Sequence, residues 1–285
     1  MQNLSKFDNL RKILLLDTVA SLIKWIEDLA AKGKHSFSLN EVRSAFPEDS
    51  EAAISLKLNR LSKKGKVISV HKGYYLIITP QYASRGILPP SLFIDGLMKF
   101  IEKPYYVGLL NAAAFYGAAH QQPQEYFVFT TFPMLRPTQK KKIKINYISK
   151  NVIPEEFLEK RKTETGYLNI SSAELTAADL VQYEKRIGGL NRTATVLNEL
   201  GDAIKVEKIN EFFLKQVAVS TIQRLGYLFE KVLNNQIIAD RIFHESEKLS
   251  LKFFRIPLKT SGTKKGYPTD EKWKIIVNTE IEIDE

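Results

Sequence analysis

Cationic and hydrogen-bonding side chains are concentrated between residues 55 and 72, and their types suit a polyanion. Arginine and asparagine side chains can pair with base edges, whereas lysine ammonium groups can contact phosphate oxygens. The stretch therefore predicts binding to duplex DNA and not reaction chemistry. The predicted DNA-binding residues are Ser55, Lys57, Asn59, Arg60, Lys63, Lys64, His71 and Lys72.

A helix predicted over about 49–64 must position the first six of these residues. Ile54, Leu58 and Leu61 recur at helical spacing and mark its buried stripe. Arg60 and Lys63 project away from that stripe, and Ser55, Lys57, Asn59 and Lys64 flank it. The helix can therefore present its polar side to the major groove of DNA.

A β-hairpin is predicted directly after this helix. Gly65 is placed to end the helix, because glycine tolerates the left-handed conformation. The segments KVISV and YYLII have the β-branched and aromatic content of strands, and the turn between them holds His71 and Lys72. Lysines at the helix end and at the hairpin tip can bind phosphates and release counterions.

Two further helices are predicted before the third one. Residues 17–31 have apolar side chains at helical spacing, with Asp17 as a potential cap. Ser38 and Glu41 form a capping-box pattern at the start of a short helix that Pro47 closes. Three helices followed by a β-hairpin is the element order of a winged helix-turn-helix.

The same residues are compatible with other interpretations. Lysines near a helix end interact favourably with the helix dipole and usually form a solvated face. Winged-helix domains also serve as protein-docking modules. His71 alone is typical of a turn residue and not of a metal ligand or a general base. The agreement of helix order, hairpin and cation placement favours DNA.

The composition indicates a basic, globular chain. Of the 285 residues, 44% are hydrophobic, and the net charge of +10 suits a polyanionic partner. Cysteine is absent, which excludes disulfides and thiolate metal sites and fits a reducing cytoplasm. The apolar runs are far shorter than the roughly 20 residues of a membrane helix, and the first is followed by no signal-peptide cleavage pattern. We therefore expect a cytoplasmic protein with no membrane partner.

The remaining residues predict a second domain. The stretch 78–90, which ends in two prolines, is typical of a linker, and we place the domains at 1–82 and 83–285. The predicted fold class is α+β: an N-terminal winged helix-turn-helix followed by a mixed α/β C-terminal domain with a helical second half. Predicted helices lie at about 91–102, 107–120, 172–183, 191–200, 207–216 and 218–233. Predicted strands lie at 125–131, 142–149, 166–170 and 272–283.

No motif in this second region supports catalysis. His120 and His244 lack metal-ligand spacing, and no glycine-rich phosphate loop is present. Glu174 and Asp179 are five residues apart on one predicted helix, so they share a face too poorly for a carboxylate dyad. We predict no catalytic, cofactor-binding or metal-binding residues, and no cofactor.

A second lysine cluster allows two interpretations. It consists of Lys140, Lys141, Lys142 and Lys144. Such a cluster is most often a solvated strand edge. It is also a candidate contact for an acidic partner or for phosphates.

Several segments resemble a known family through their order along the chain. They are RLSKKGKVISVHKGYY, YYVGLLNAAAFYGAAHQQPQEYFVFT, GYLNISSAELTAADLVQY with GGLNRTATVLNELG, and KWKIIVN. Together they resemble the AbiEi antitoxins of bacterial type IV toxin–antitoxin systems over nearly the whole chain. The resemblance implies an N-terminal domain that represses its own operon by binding promoter duplex DNA. It also implies a C-terminal antitoxin domain that opposes a cognate nucleotidyltransferase-like toxin, directly or indirectly.

Two other functions are compatible with the sequence, and it leaves the oligomeric state open. One is a winged-helix transcriptional regulator whose second domain senses a ligand or dimerises. The other is a DNA-targeted nuclease or nucleotidyltransferase. Metal-dependent turnover of nucleic acid or nucleotides would favour the enzyme, whereas rescue of cells that express the adjacent gene would favour the antitoxin.

Overall fold

The structure, a computed structural model, describes residues 20–119 and 125–283. These residues form two compact units. The first unit contains the described residues up to Pro104 together with 136–146 and 162–168. The second unit contains the ranges 105–135 and 147–161 and the residues from Asn169 onward, within the described part of the chain. The sequence predicted two domains that fold independently, with a boundary between residues 82 and 83. That boundary stays a prediction.

The first unit begins with three helices and a three-stranded antiparallel sheet. The helices are α1 (residues 20–31), α2 (Leu39–Ala45) and α3 (Glu51–Lys63). The strands are β1 (Ser36–Ser38), β2 (Val67–His71) and β3 (Tyr74–Ile77), in the order β1-β3-β2. The predicted helices and hairpin are therefore present, and β1 is an additional strand. The predicted cap Asp17 lies outside the described residues.

Apolar side chains from all three helices form the core beneath this sheet. Ile54, Leu58 and Leu61 of α3 are buried as predicted, each at most 2% exposed. They belong to one cluster with Leu22 of α1 and Phe37 of β1. Burying a side chain of this size contributes about 1.5–3 kcal/mol. The core thus fixes which side of α3 faces solvent.

Side-chain caps determine where α2 and α3 begin. The backbone N–H of Ser38 donates to Glu41 Oε2 at 2.7 Å, and the N–H of Glu41 donates to Ser38 Oγ at 3.1 Å. The predicted capping box is therefore confirmed. Helix α3 begins after Ser50, whose Oγ accepts from the N–H of Ala53 at 3.2 Å.

The linker contains short helical turns. The 3₁₀ turns Pro80–Tyr82 and Pro90–Leu92 precede helix α4 (Ile94–Phe100). This helix is shorter than the predicted 91–102, because Pro90 starts a separate 3₁₀ turn and Glu102 has a positive φ of 53°.

The largest sheet has six strands in the order β6-β7-β5-β4-β9-β8. Their bounds are β4 (Tyr105–Val107), β5 (Glu125–Thr131), β6 (Thr138–Lys140), β7 (Ile143–Lys150), β8 (Leu158–Thr163) and β9 (Gly166–Ser171). Strand β4 pairs antiparallel with β5 and parallel with β9. Strands β4, β6 and β8 were not predicted.

The predicted helix over 107–120 is wrong in extent. Val107 is the last residue of β4, and helix α5 covers only Leu109–Ala113 before a 3₁₀ turn at Ala114–Tyr116. Gly117 ends this turn with a positive φ of 78°. The end of the predicted helix, His120, lies outside the described residues.

Helices dominate the second half of the chain, as predicted. They are α6 (Ala173–Gln182), α7 (Glu184–Ile187), α8 (Leu190–Leu200), α9 (Glu211–Lys215), α10 (Val219–Tyr227) with a π-turn at Leu228–Val232, and α11 (Gln236–Lys248). Helix α11 was not predicted. None of the helices in the described ranges combines the length and the apolar character needed to cross a bilayer.

A small sheet closes the described chain. Its strands are β10 (Ile256–Pro257), β11 (Thr269–Asp270) and β12 (Ile275–Ile276), in the order β10-β12-β11. The predicted strand over 272–283 is therefore wrong in extent. Lys274 has a positive φ of 55°, and the N–H of Trp273 donates to Asp270 Oδ1 at 2.7 Å, so the chain turns just before β12.

Candidate nucleic-acid interface

Helix α3 presents a polar face to solvent on the side opposite its core stripe. The exposed predicted residues at this face and at the helix end are Ser55, Asn59, Arg60, Lys63 and Lys64. None of their side chains forms a hydrogen bond or an ion pair with another described residue. No acidic residue occurs between residues 55 and 72, so the face carries an uncompensated positive charge.

Lys57 lies on the buried side of α3 and not on this exposed face. This position corrects the prediction that Lys57 contacts DNA. Its side chain is only 3% exposed, and its ammonium donates to the carboxylate of Asp49. The ammonium also lies 5.9 Å from the centre of the Phe46 ring. Because residue 57 is three positions after Ile54 and four before Leu61, it falls on the buried stripe. Its charge is already paired inside the unit.

The hairpin tip places two more predicted residues in solvent. His71 and Lys72 are exposed, and Gly73 supplies the positive φ of 78° that the turn requires. The N–H of Leu39 donates to the carbonyl of Gly73 at 2.8 Å, which ties the tip to the start of α2. The position of the hairpin tip is therefore fixed by this hydrogen bond as well as by the pairing of β2 with β3.

His71 has the surroundings of a turn residue. The register of β2 against β3 shifts between Ser69 and His71, and Ser69 Oγ donates to the carbonyl of His71 at 2.9 Å. The imidazole lies edge-on to the Phe100 ring with their centres 6.4 Å apart. These contacts give the imidazole a packing role, and its ring nitrogens form no hydrogen bond with another described residue.

One exposed cation of this region was not predicted. Lys66 follows Gly65 directly and is exposed between α3 and β2. Its position in the charge run after the helix was the signal that could have identified it. With Arg60, Lys63, Lys64 and Lys72 it makes five exposed cations within a single helix–hairpin unit. Such a set can neutralise several phosphates of one duplex.

The second unit contains a buried network of polar side chains. The hydroxyl of Tyr106 donates to Asp179 Oδ2 at 2.7 Å, and the ammonium of Lys150 donates to Asp179 Oδ1 at 2.8 Å. Burial raises the pKa of the Asp179 carboxyl, and the Lys150 ammonium opposes that shift. The pKa of Tyr106 is raised, mainly by burial and further by the charge of Asp179. Asp179 is 1% exposed, so this paired network has the features of a structural element.

The other candidate groups for chemistry do not converge. Glu174 accepts from the N–H of Lys205 at 2.8 Å and thus uses a partner different from those of Asp179. Within the described ranges, no group of three or more His, Asp or Glu side chains could hold a metal ion.

A cavity of about 410 Å³ lies in the second unit. Arg224 and Arg186 line it together with Tyr183 and Glu184. The Arg224 guanidinium donates from Nε to the carbonyl of Pro257 at 3.1 Å. Burial lowers the pKa of Arg224, and the nearby Glu184 carboxylate opposes that shift. The lining of the cavity thus combines two arginines with the carboxylate of Glu184.

The fold and the sites define an α+β protein with an exposed cationic helix–hairpin surface and a largely helical second half. Residues 106–231 match the family model of the AbiEi antitoxin C-terminal domain. This match confirms the resemblance to the AbiEi family, and residues 106–231 are similar to its antitoxin C-terminal domain.

A solved structure gives an independent comparison of the fold. The crystal structure of the RV2827C protein from Mycobacterium tuberculosis is similar with a TM-score of 0.66, and the similarity covers 90% of each chain. The sequence identity of 16% restricts this comparison to the fold. No curated protein matches the chain.

Proposed function

We propose that the chain is an AbiEi-type antitoxin that also represses transcription by binding duplex DNA through a winged helix-turn-helix. The observation that carries the antitoxin role is the family match over residues 106–231. The DNA-binding role is supported by the exposed, unpaired cations of α3 and the β2–β3 hairpin. The element order α1, β1, α2, α3, β2, β3 supports assigning that hairpin as the wing.

In this proposal α3 enters the major groove of the promoter. Arg60 can donate two parallel hydrogen bonds to a guanine, and Asn59 can pair with an adenine. Lys63 and Lys64 at the helix end and Lys72 at the hairpin tip contact phosphates, which fixes the register without reading sequence. Promoter occupancy then represses the operon that encodes the chain.

The C-terminal domain is proposed to oppose a nucleotidyltransferase-like toxin without turnover of its own. The Asp179 carboxylate is 1% exposed, and both of its oxygens are engaged by Tyr106 and Lys150. A substrate therefore has no route to a free oxygen of this group. The domain is expected to act by binding or by an indirect effect on the toxin or its target.

Co-expression tests the antitoxin role. The full chain and the adjacent gene are placed under separate inducible promoters, and growth is measured after induction of either gene or both. We expect the adjacent gene to arrest growth and the full chain to restore it. Growth arrest that persists despite soluble, folded protein would contradict the antitoxin role. An electrophoretic mobility shift assay with the duplex upstream of the operon tests the DNA-binding role separately.

The Arg224 cavity supports a second candidate, a DNA-binding regulator whose second domain senses a small anion. In that case inorganic phosphate or ATP should raise the melting temperature of the full chain and change its affinity for the upstream duplex. Replacing Arg224 with glutamine should remove both effects. If neither the melting temperature nor the affinity for the upstream duplex changes with the ligand, the antitoxin is the better assignment.

A further inference from the structure

The hairpin formed by β6 and the first half of β7 belongs to the first compact unit, although it is far in sequence from α3. Strand β6 lies beside β2, the first strand of the proposed wing. The two hairpins are thus neighbours within one unit. This placement was not available from the sequence, where the lysines of this segment allowed two interpretations.

The β6–β7 hairpin presents a tight group of cations. Lys140 pairs with Ile143 at the end of the ladder, so Lys141 and Lys142 form the turn, and Lys141 has a positive φ of 53°. All three lysines are exposed, and none of their side chains forms an ion pair or a hydrogen bond with another described residue. No acidic residue occurs in the range 136–146, so nothing in the hairpin itself offsets their charge.

We propose that the β6–β7 hairpin is a second phosphate-binding wing, whose Lys140, Lys141 and Lys142 contact the backbone of the duplex held by α3. This inference rests on the proposed DNA-binding function and extends its site. The ligand chemistry is the phosphodiester backbone, so the hairpin adds affinity and salt dependence without sequence preference.

The side-chain types favour a nucleic acid over an acidic protein. Lysine is depleted in protein–protein interfaces, whereas aromatic residues, methionine and arginine are enriched there. The turn consists of lysines alone and offers flexible point charges that can follow a phosphate row. Its position beside β2 places these charges next to a surface that is already cationic.

The test compares charge-matched variants of the full chain. The hairpin variant replaces Lys140, Lys141 and Lys142 with alanine. The control variant replaces Lys259, Lys264 and Lys265 with alanine and removes the same charge. These three lysines are exposed in a loop of the second unit. A third variant, Lys72→Ala, calibrates the loss of one phosphate contact. A Lys→Arg version of the hairpin keeps the charge and reports any effect of the substitutions on folding.

Fluorescence anisotropy with the upstream duplex and with a random duplex gives the dissociation constant between 50 and 300 mM salt, roughly the range over which counterion release is measured. Each phosphate contact contributes about 0.9 to the slope of log K against log salt. The hairpin variant should therefore lose about 2–3 slope units on both duplexes, and Lys72→Ala about one. The control variant and the Lys→Arg version should keep the wild-type slope.

The outcomes separate the inference from the function on which it rests. If the wild-type chain shows no salt-dependent binding to either duplex, the DNA-binding function fails and the inference fails with it. If the wild type binds and the hairpin variant has the slope of the control variant, only the inference is overturned. A hairpin variant that keeps its slope but no longer rescues cells from the adjacent gene assigns the lysines to the toxin side and likewise overturns it.

Discussion

Arg60 is the residue at which base reading can be separated from general charge attraction. Its guanidinium is exposed on α3 and forms no hydrogen bond or ion pair with a described side chain. Replacing it with alanine should cost about 1–3 kcal/mol at the specific site and relax base preference there. Mobility shift titrations with the upstream duplex and with a random duplex measure this difference. An equal loss on both duplexes would restrict Arg60 to phosphate contact.

Lys57 shows why residue type and approximate helix face did not suffice to predict the site. Ile54, Leu58 and Leu61 were predicted as buried, and they are. Lys57 falls on the same stripe and is buried with it, and its ammonium pairs there with the carboxylate of Asp49. Sequence periodicity places the backbone of a residue, whereas the partner of a long side chain depends on the packing of other segments.

Glu230 carries a prediction about acid stability. Burial opposes its ionisation, but hydrogen bonds from Lys231, Lys272 and the Trp273 indole lower its pKa from 4.5 to about 2. Because the folded pKa is lower than the unfolded one, the stabilisation is complete above pH 4.5 and is lost as the pH falls toward 2. Glu230→Gln should therefore reduce the free energy of unfolding at pH 7 by up to about 3 kcal/mol.

Urea unfolding followed by tryptophan fluorescence at pH 7 and at pH 3 measures this effect, because Trp273 is a direct partner of Glu230. The difference between wild type and Glu230→Gln should shrink at the lower pH. Glu271→Gln is the control, since Glu271 forms an exposed ion pair with Lys274 and should have little influence on stability. A difference that is independent of pH would contradict the assigned role of the Glu230 charge.

Helix α10 makes a close approach to the fully buried Trp273 that only glycine permits. A Cβ atom placed on Gly226 would lie 2.1 Å from the Cη2 and Cζ3 atoms of the Trp273 ring. Gly226→Ala should therefore destabilise the second unit by about 1–3 kcal/mol or more, because a packed indole cannot shift freely. Gly201→Ala is the control, since its nearest neighbour would be Asn235 Nδ2 at 3.6 Å. Equal melting temperatures for the two variants would contradict this packing argument.

Sequence patterns predicted elements with strong periodicity or clear caps and missed those that depend on neighbours. The three helices and the hairpin of the first unit occur where the periodicity and the Ser38 capping box indicate. Strand β8 has the polar sequence LEKRKT, which has no apolar alternation and is a strand only because β9 pairs with it. The two-residue strand β12 is likewise defined by its partners.

At the scale of the molecule, contacts between distant segments determine which charges can act together. The lysines of the β6–β7 hairpin are about 70 residues from Lys72 along the chain, yet both hairpins belong to one compact unit. No local pattern encodes that proximity, because β2 and β6 belong to different sheets and meet only through the tertiary fold of the unit. The sequence therefore predicted most of the exposed cations, whereas their grouping depends on the fold.

The two proposed activities should be separable within the full chain, because the α3 residues and the residues matched to the AbiEi domain belong to different parts of the sequence. The double variant Arg60→Ala, Lys72→Ala should bind the upstream duplex at least about tenfold more weakly, as expected from a loss of 1.4 kcal/mol or more. Expressed from an unrelated promoter, it should still rescue cells that express the adjacent gene. Growth curves and a reporter fused to the upstream region measure both activities in the same strain. A folded double variant that derepresses the reporter and also fails to rescue growth would show that neutralisation requires the DNA-binding surface.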